Sequence, residues 1–145
     1  MSAEPSPDSL VAAIHAQPVR LAIVATGGGS QAIADLLAVP GGSRTILEAV
    51  VPYAEGALDE YLRGRPEHFC CERTARLMAM AAYQRACQLS ADSTATIVGI
   101  GATASLVSDR PKRGPHRLHV AAQTIRSTHS VSARTISSIW PSTIR

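Results

Sequence analysis

Aromatic residues are scarce in this chain: Phe, Trp and Tyr make up 3% of its 145 residues. That argues against the stacking surfaces on which single-stranded nucleic acids are held. No apolar run is long enough to span a bilayer. The opening stretch MSAEPSPDS is acidic and proline-rich, unlike a signal peptide. Cysteine is limited to Cys70, Cys71 and Cys87. Adjacent cysteines rarely pair, and an odd count fits free thiols in a reducing cytoplasm, the expected location. The five histidines are scattered, so no metal site is expected, and no cofactor is expected either. Both common nucleotide fingerprints are missing, since there is no GxGxxG and no GK[ST].

What is present suits one soluble domain with a real core: 46% of residues are hydrophobic and 17% charged. The net charge is +3. Much of the excess lies after Asp109, which points to a local basic patch rather than a nucleic-acid-binding body.

The stretch VRLAIVATGGGS, residues 19–30, organises the rest. Val19 to Val24 is apolar and partly β-branched, broken only by Arg20, and reads as a mostly buried strand. Gly27, Gly28 and Gly29 follow, then Ser30 as a possible N-cap, then the helical pattern QAIADLLA. Strand, glycine turn and helix is the arrangement that points backbone N–H groups at an anion. The competing reading is a tight turn with no ligand.

Before this unit, residues 1–9 read as a disordered lead, with Asp8 or Ser9 capping a short helix that ends near a surface His15. After it, Ile46, Val50 and Val51 predict a second strand that stops at Pro52. Leu58 and Leu62 place an amphipathic helix over Glu55–Arg63. Ala75, Met78, Ala82, Ala86 and Leu89 predict a long helix over Glu72–Leu89, with Cys71 at its start as a weak acceptor. The run TIVGIGA is a third strand. A loop over Thr103–Pro115 carries Asp109, Arg110, Lys112 and Arg113. The last strand is HRLHVAAQT, with His116, Leu118 and Val120 on one face and Arg117, His119 and Ala121 on the other. Alternating strands and helices predict an α/β sandwich with a mostly parallel sheet. Parallel strands would bring the Gly27–Ser30 turn and the Gly99–Ser105 segment to the same carboxyl edge, where open α/β sheets bind ligands. Residues 125–145 have no acidic residue and a poor amphipathic pattern. They are expected to be weakly ordered, or a terminus whose native continuation is missing.

The ordered set VRLAIVA, TGGGS, VPGGS, AVVPYAE, CERTARLMAMAA and TIVGIGATAS resembles the CinA C-terminal domain family, which includes nicotinamide-mononucleotide deamidases. The resemblance covers roughly residues 10–124 and is nearest to a divergent branch associated with nucleotidyltransferase-like proteins. It implies a CinA C-terminal-like α/β sandwich, frequent oligomerisation and, if the chain is an enzyme, hydrolysis of a C–N amide bond. Deamidases of the family carry a Ser-Cys-Thr-Gly-Gly turn whose serine is the proposed nucleophile; here Thr26 stands at that position. The family follows its second strand with Tyr-Ser-Asn and a lysine three residues later. Here Tyr53 is kept, Ala54 and Glu55 replace Ser-Asn, and Leu58 replaces the lysine. The family's Thr-Gly-Ile-Ala-Gly-Pro becomes Val98-Gly99-Ile100-Gly101-Ala102-Thr103.

Three readings follow. The first is an amidase acting on a nicotinamide nucleotide with an altered site, using Thr26 and Tyr53. The second is a non-catalytic nucleotide- or phosphate-binding module. Its ligand would lie among Gly27, Gly28, Gly29, Ser30, Gly99, Gly101, Thr103, Arg110, Lys112, Arg113 and His116. The third is a structural or oligomerisation domain. The partners expected are a nucleotide or other phosphate-bearing small molecule and a second copy of the chain, with no nucleic acid and no membrane.

Overall fold

The computed structural model describes residues 3–106 and 114–135. In chain order the elements are α1 (Pro7–His15), β1 (Val19–Thr26), a single 3-10 turn (Gly27–Gly29), α2 (Ser30–Ala38), α3 (Gly42–Thr45), β2 (Ile46–Val50), α4 (Glu55–Leu62), α5 (Glu72–Leu89), β3 (Thr96–Ser105), β4 (His116–Gln123) and β5 (Thr128–Thr135). The strands form one sheet in the order β2-β1-β3-β4-β5. β1 runs parallel to β2 and β3, whereas β3–β4 and β4–β5 are antiparallel. The α/β architecture is as the sequence predicts, with a mixed sheet whose parallel part is β2-β1-β3. A parallel return needs a crossover of about a dozen residues or more. The link between Ser105 and His116 is shorter than that, so β4 comes straight back.

β1 is central because its sequence allows nothing else. Leu21 to Ala25 are five consecutive buried residues. A strand buried on both faces reads as a continuous apolar run rather than an alternation. On one face lies α5, whose Ala75, Met78, Ala79, Ala82 and Ala86 are fully buried. Small residues let this helix settle onto the sheet. A Cβ added at Gly99 would lie 2.1 Å from the Tyr83 backbone nitrogen, and one at Gly101 2.4 Å from the Ala75 carbonyl oxygen. On the other face, Val11 of α1 and Leu36 of α2 pack with Leu21 and Ile23. The Glu48 carboxylate on β2 accepts two hydrogen bonds from the Arg85 guanidinium at 2.9 and 3.1 Å, tying the sheet edge to α5.

Several sequence expectations need correction. α1 is capped not by Asp8 or Ser9 but by Ser6, whose hydroxyl accepts from Ser9 N at 3.2 Å. Pro7 then takes the first helical position, where a missing N–H costs nothing. His15 is not a surface residue: it is 2% exposed, and its Nε2 donates to the Leu36 carbonyl at 2.8 Å. That carbonyl has no intrahelical donor because the residue four positions on is Pro40, which lacks an N–H. β3 continues through Thr103 to Ser105, where a loop was expected, because β4 pairs with it up to Ser105↔Arg117. Residues 128–135, expected to be weakly ordered, form β5. A turn held by Thr124, whose Oγ1 accepts from Ser127 N at 3.2 Å, folds them back along β4. Backbone pairing at a sheet edge does not require an apolar sequence. Among the described residues, no helix is long and apolar enough to cross a membrane.

Candidate functional site

The parallel pairing of β1 with β3 sets Thr26 beside Thr103 at the carboxyl edge of the sheet. Their hydroxyls meet: Thr26 Oγ1 donates to Thr103 Oγ1 at 3.1 Å, and Thr103 Oγ1 donates to the Phe69 carbonyl at 2.7 Å. In front of Thr26 is a pocket of about 150 Å³ lined by Thr26, Pro52, Tyr53, Ala54, Glu55, Leu58 and Phe69. Three segments build it. β1 delivers Thr26. The turn after β2, where Pro52 ends the strand, delivers Tyr53 and the first turn of α4. The loop before α5 delivers Phe69.

Leu58 is 2% exposed and packs into the core with Ala22, Val24 and Met78, so its position offers no proton acceptor. Glu55 is the one carboxylate in the lining. Its Oε2 is paired with the Arg65 guanidinium at 3.0 Å, and Arg65 also reaches Asp59 at 3.4 Å. The Arg65 guanidinium lies over the Phe69 ring, 5.1 Å from its centre. The ion pair and this cation–π contact therefore hold α4 and the Phe69 loop together as one wall. Tyr53 is 81% exposed, standing at the pocket mouth with its side chain open to solvent.

The loop that carries Phe69 is anchored at the start of α5. The Thr74 hydroxyl donates to the His68 carbonyl, and the Cys71 thiol accepts from Thr74 N at 3.4 Å. Cys71 is thus the weak helix cap that the sequence indicates. Further along the same side of the sheet, Tyr61 faces the Glu48–Arg85 pair across a polar groove. Burial, reinforced by the Glu48 carboxylate, pushes its phenol up to about 12. At the other end of α5, the Glu72 carboxyl lies below its ordinary value, chiefly because the Ser130 hydroxyl donates to it.

The structure brings together Thr26, Thr103 and Tyr53. Of the other expected ligand residues, it buries Gly99, Gly101 and His116. Gly27 adopts a positive φ of 64°, as a glycine turn leaving a strand requires. Gly28 lies under the Leu106 side chain, so close that a Cβ there would be 2.1 Å from Leu106 Cδ1. Ser30 is the first residue of α2; Gly29 stands at its N-cap, and no side chain caps the helix. Gly99 and Gly101 are buried beneath α5 and serve helix–sheet packing rather than a ligand. His116 is buried on β4, 4% exposed. Arg110, Lys112 and Arg113 lie outside the described residues. Pro52 and Phe69 are pocket residues that a search for catalytic chemistry passes over. The one signal for Phe69 was its being the only phenylalanine in the chain. Among the described residues, no three His, Cys, Asp or Glu side chains gather as a metal-binding group.

A mixed five-stranded sheet under one long helix, with a pocket at the carboxyl end of its central strands, defines the class of protein. Solved structures sharpen it. A CinA superfamily protein from Escherichia coli is 16% identical, with a TM-score of 0.69 over 94% of this chain and 83% of that chain. The competence/damage-inducible protein CihA from Agrobacterium tumefaciens is 19% identical, with a TM-score of 0.61 over 92% and 83%. A competence or damage-inducible protein from Enterobacter asburiae is 16% identical, with a TM-score of 0.70 over 92% and 86%. This chain has the CinA-like fold. No protein-family model matches the sequence, and no curated protein matches it either.

Proposed function

We propose that this chain is a nicotinamide-nucleotide amidase-related domain whose pocket holds a nucleotide or similar phosphate-bearing small molecule and hydrolyses it slowly or not at all. One observation carries the reading: the proton path from the candidate nucleophile. The Thr26 hydroxyl proton points to Thr103, and the Thr103 proton points to the Phe69 carbonyl. A backbone carbonyl accepts a hydrogen bond but cannot take a proton at neutral pH. A hydroxyl is a weak nucleophile until a base within hydrogen-bond reach removes its proton. Leu58 occupies the position where that base is expected, and Glu55 is engaged by Arg65. The pocket volume suits one ring-sized group rather than a whole nucleotide, so the sugar phosphate would lie outside it, past Tyr53.

The test is ammonia release from nicotinamide mononucleotide by purified protein, beside calorimetric titration with the same compound. The expected result is measurable binding with a turnover equal to that of Thr26→Ala. A turnover on the order of 1 per second that vanishes in Thr26→Ala would overturn the reading, because it would require a base that this geometry does not contain.

A further inference from the structure

Strand register sets Arg117 of β4 directly opposite Arg134 of β5. Both lie on the α5 side of the sheet, since Ala121, on the same face of β4, clusters with Ala75 and Ala79. Like charges in a cross-strand pair repel, because their Cβ atoms are about 5 Å apart. Among the described residues neither guanidinium takes part in a salt bridge. The carboxylates at the start of α5 are engaged elsewhere. Glu72 accepts from the Ser130 hydroxyl and pairs with Arg76, and Glu67 pairs with Arg73. Arg117 is half-buried, and its Nε is a buried donor with no hydrogen-bond partner among the described residues. Such a donor is costly to leave without an acceptor. Hydroxyls share the corner. Ser105 of β3 stands opposite Arg117, and Ser132, the next residue of β5 on this face, is bonded to His119 at 2.7 Å. Cys70, just before α5, has its Sγ 4.0 Å from the Arg117 carbonyl oxygen. The arginine pair therefore stands at the N-terminal end of α5, where the helix dipole also favours an anion.

We infer that Arg117 and Arg134 form an oxyanion site for a single phosphoryl group, either inorganic phosphate or the phosphate monoester of a small molecule. A phosphoryl dianion has the charge to offset two arginines and enough oxygens to accept from both at once. A carboxylate has one charge and two oxygens, so it satisfies one guanidinium fork and leaves the other. The site is separate from the Thr26 pocket and does not rest on the function proposed for that pocket. β3 stands between β1 and β4, so Arg117 is two strand spacings, about 10 Å, from the strand that carries Thr26. The segment before α5 runs between the two, with the Phe69 carbonyl bound to Thr103 and Cys70 against Arg117.

The test titrates the full chain calorimetrically with inorganic phosphate and with ribose 5-phosphate, at slightly alkaline pH and at an ionic strength held constant with chloride. Expected is saturable binding of one anion per chain. Arg117→Gln and Arg134→Gln should each raise the dissociation constant about tenfold or more, with unchanged far-ultraviolet dichroism. Arg126→Gln, which removes an exposed arginine from the turn between the same strands, should change it less than about twofold. Arg134 is exposed on the edge strand, so its replacement leaves the core alone even where that of Arg117 does not. Without phosphate, Arg134→Gln should melt higher than the parent, because the repulsion is relieved. With phosphate, the parent should gain melting temperature and the variant should not. Tighter binding of ribose 5-phosphate identifies a monoester as the ligand, and tighter binding of phosphate identifies the free ion; either order upholds the site. Absence of saturable binding by both compounds overturns the inference, as does binding that survives both arginine replacements. An equal loss in Arg126→Gln also overturns it, since that is a response to net charge and not to a site.

Discussion

β1 and β4 are both eight-residue strands of one sheet, yet they are built on different rules. β1 lies between two helical layers and is buried for five residues in succession. Among the described residues β4 meets a helix on one face alone, and it is buried only in places, at Ala121 and Gln123 on that face and at His116 on the other. An unbroken apolar run thus reports a strand covered on both faces. The identity of the covered face is a separate matter, and on β4 it is the more polar one. Helix α5 lies so close there that alanine and glycine, not large apolar side chains, make the contact.

This contrast can be broken experimentally, and the largest effect is expected under α5. Gly101→Val puts a Cβ within 2.4 Å of the Ala75 carbonyl and 2.5 Å of the Ala79 nitrogen. These are backbone atoms that cannot rotate away. The variant should lose about 3 kcal/mol or more and show little or no folded protein in urea denaturation. A melt within about 0.5 kcal/mol of the parent would mean that α5 does not sit on β3 as described. A smaller contrast compares the two strand environments directly. Val24→Ala on β1, where Val24 is fully buried, should cost about 2 kcal/mol. Ser132→Ala on β5 should cost no more than about 0.5 kcal/mol, although it removes the 2.7 Å hydrogen bond to His119 Nδ1, because both groups stay accessible to water. Equal costs would contradict the assignment of one strand to the core and the other to the edge.

The third contrast is a pH dependence at the β2 edge. The folded phenol of Tyr61 sits near 12, above its ordinary value of 10.0. Below the ordinary value it is neutral whether the chain is folded or not, and its contribution to stability is complete. Between about 10 and 12 the unfolded chain ionises while the folded chain does not, so stability falls as pH rises through that window. The fall should be on the order of 1 kcal/mol, reduced by the partial exposure of the ring. Tyr61→Phe should flatten that part of the curve. An unchanged slope would place Tyr61 in solvent rather than against Glu48.

The candidate site was legible only in pieces. The glycine turn after an apolar strand marked Thr26, and Pro52 marked the turn carrying Tyr53, because strand ends leave local signatures. The Phe69 wall and the Thr26–Thr103–Phe69 hydrogen-bond chain were not legible, since each joins residues far apart in sequence and depends on strand order. The glycines of TIVGIGA misled for a related reason: a glycine that admits a ligand and one that admits a helix look alike in sequence. His15 misled because its partner, the Leu36 carbonyl, is left without a helical donor by Pro40 in the turn after α2.

What the sequence determined by itself is local: where β1, α4 and α5 lie, that β1 is mostly buried, and that Leu58 carries no base where the resemblance implies a lysine. Those follow from apolar periodicity, from glycine and proline, and from side-chain chemistry, all of which act over a few residues. The tertiary structure alone decided that β3 turns back antiparallel into β4, that residues 128–135 form an edge strand, that Gly99 and Gly101 seat a helix, and that the hydrogen-bond chain from Thr26 through Thr103 ends on a carbonyl. Each of these depends on which distant backbone groups become neighbours when the sheet closes, and chain-local forces carry no record of that.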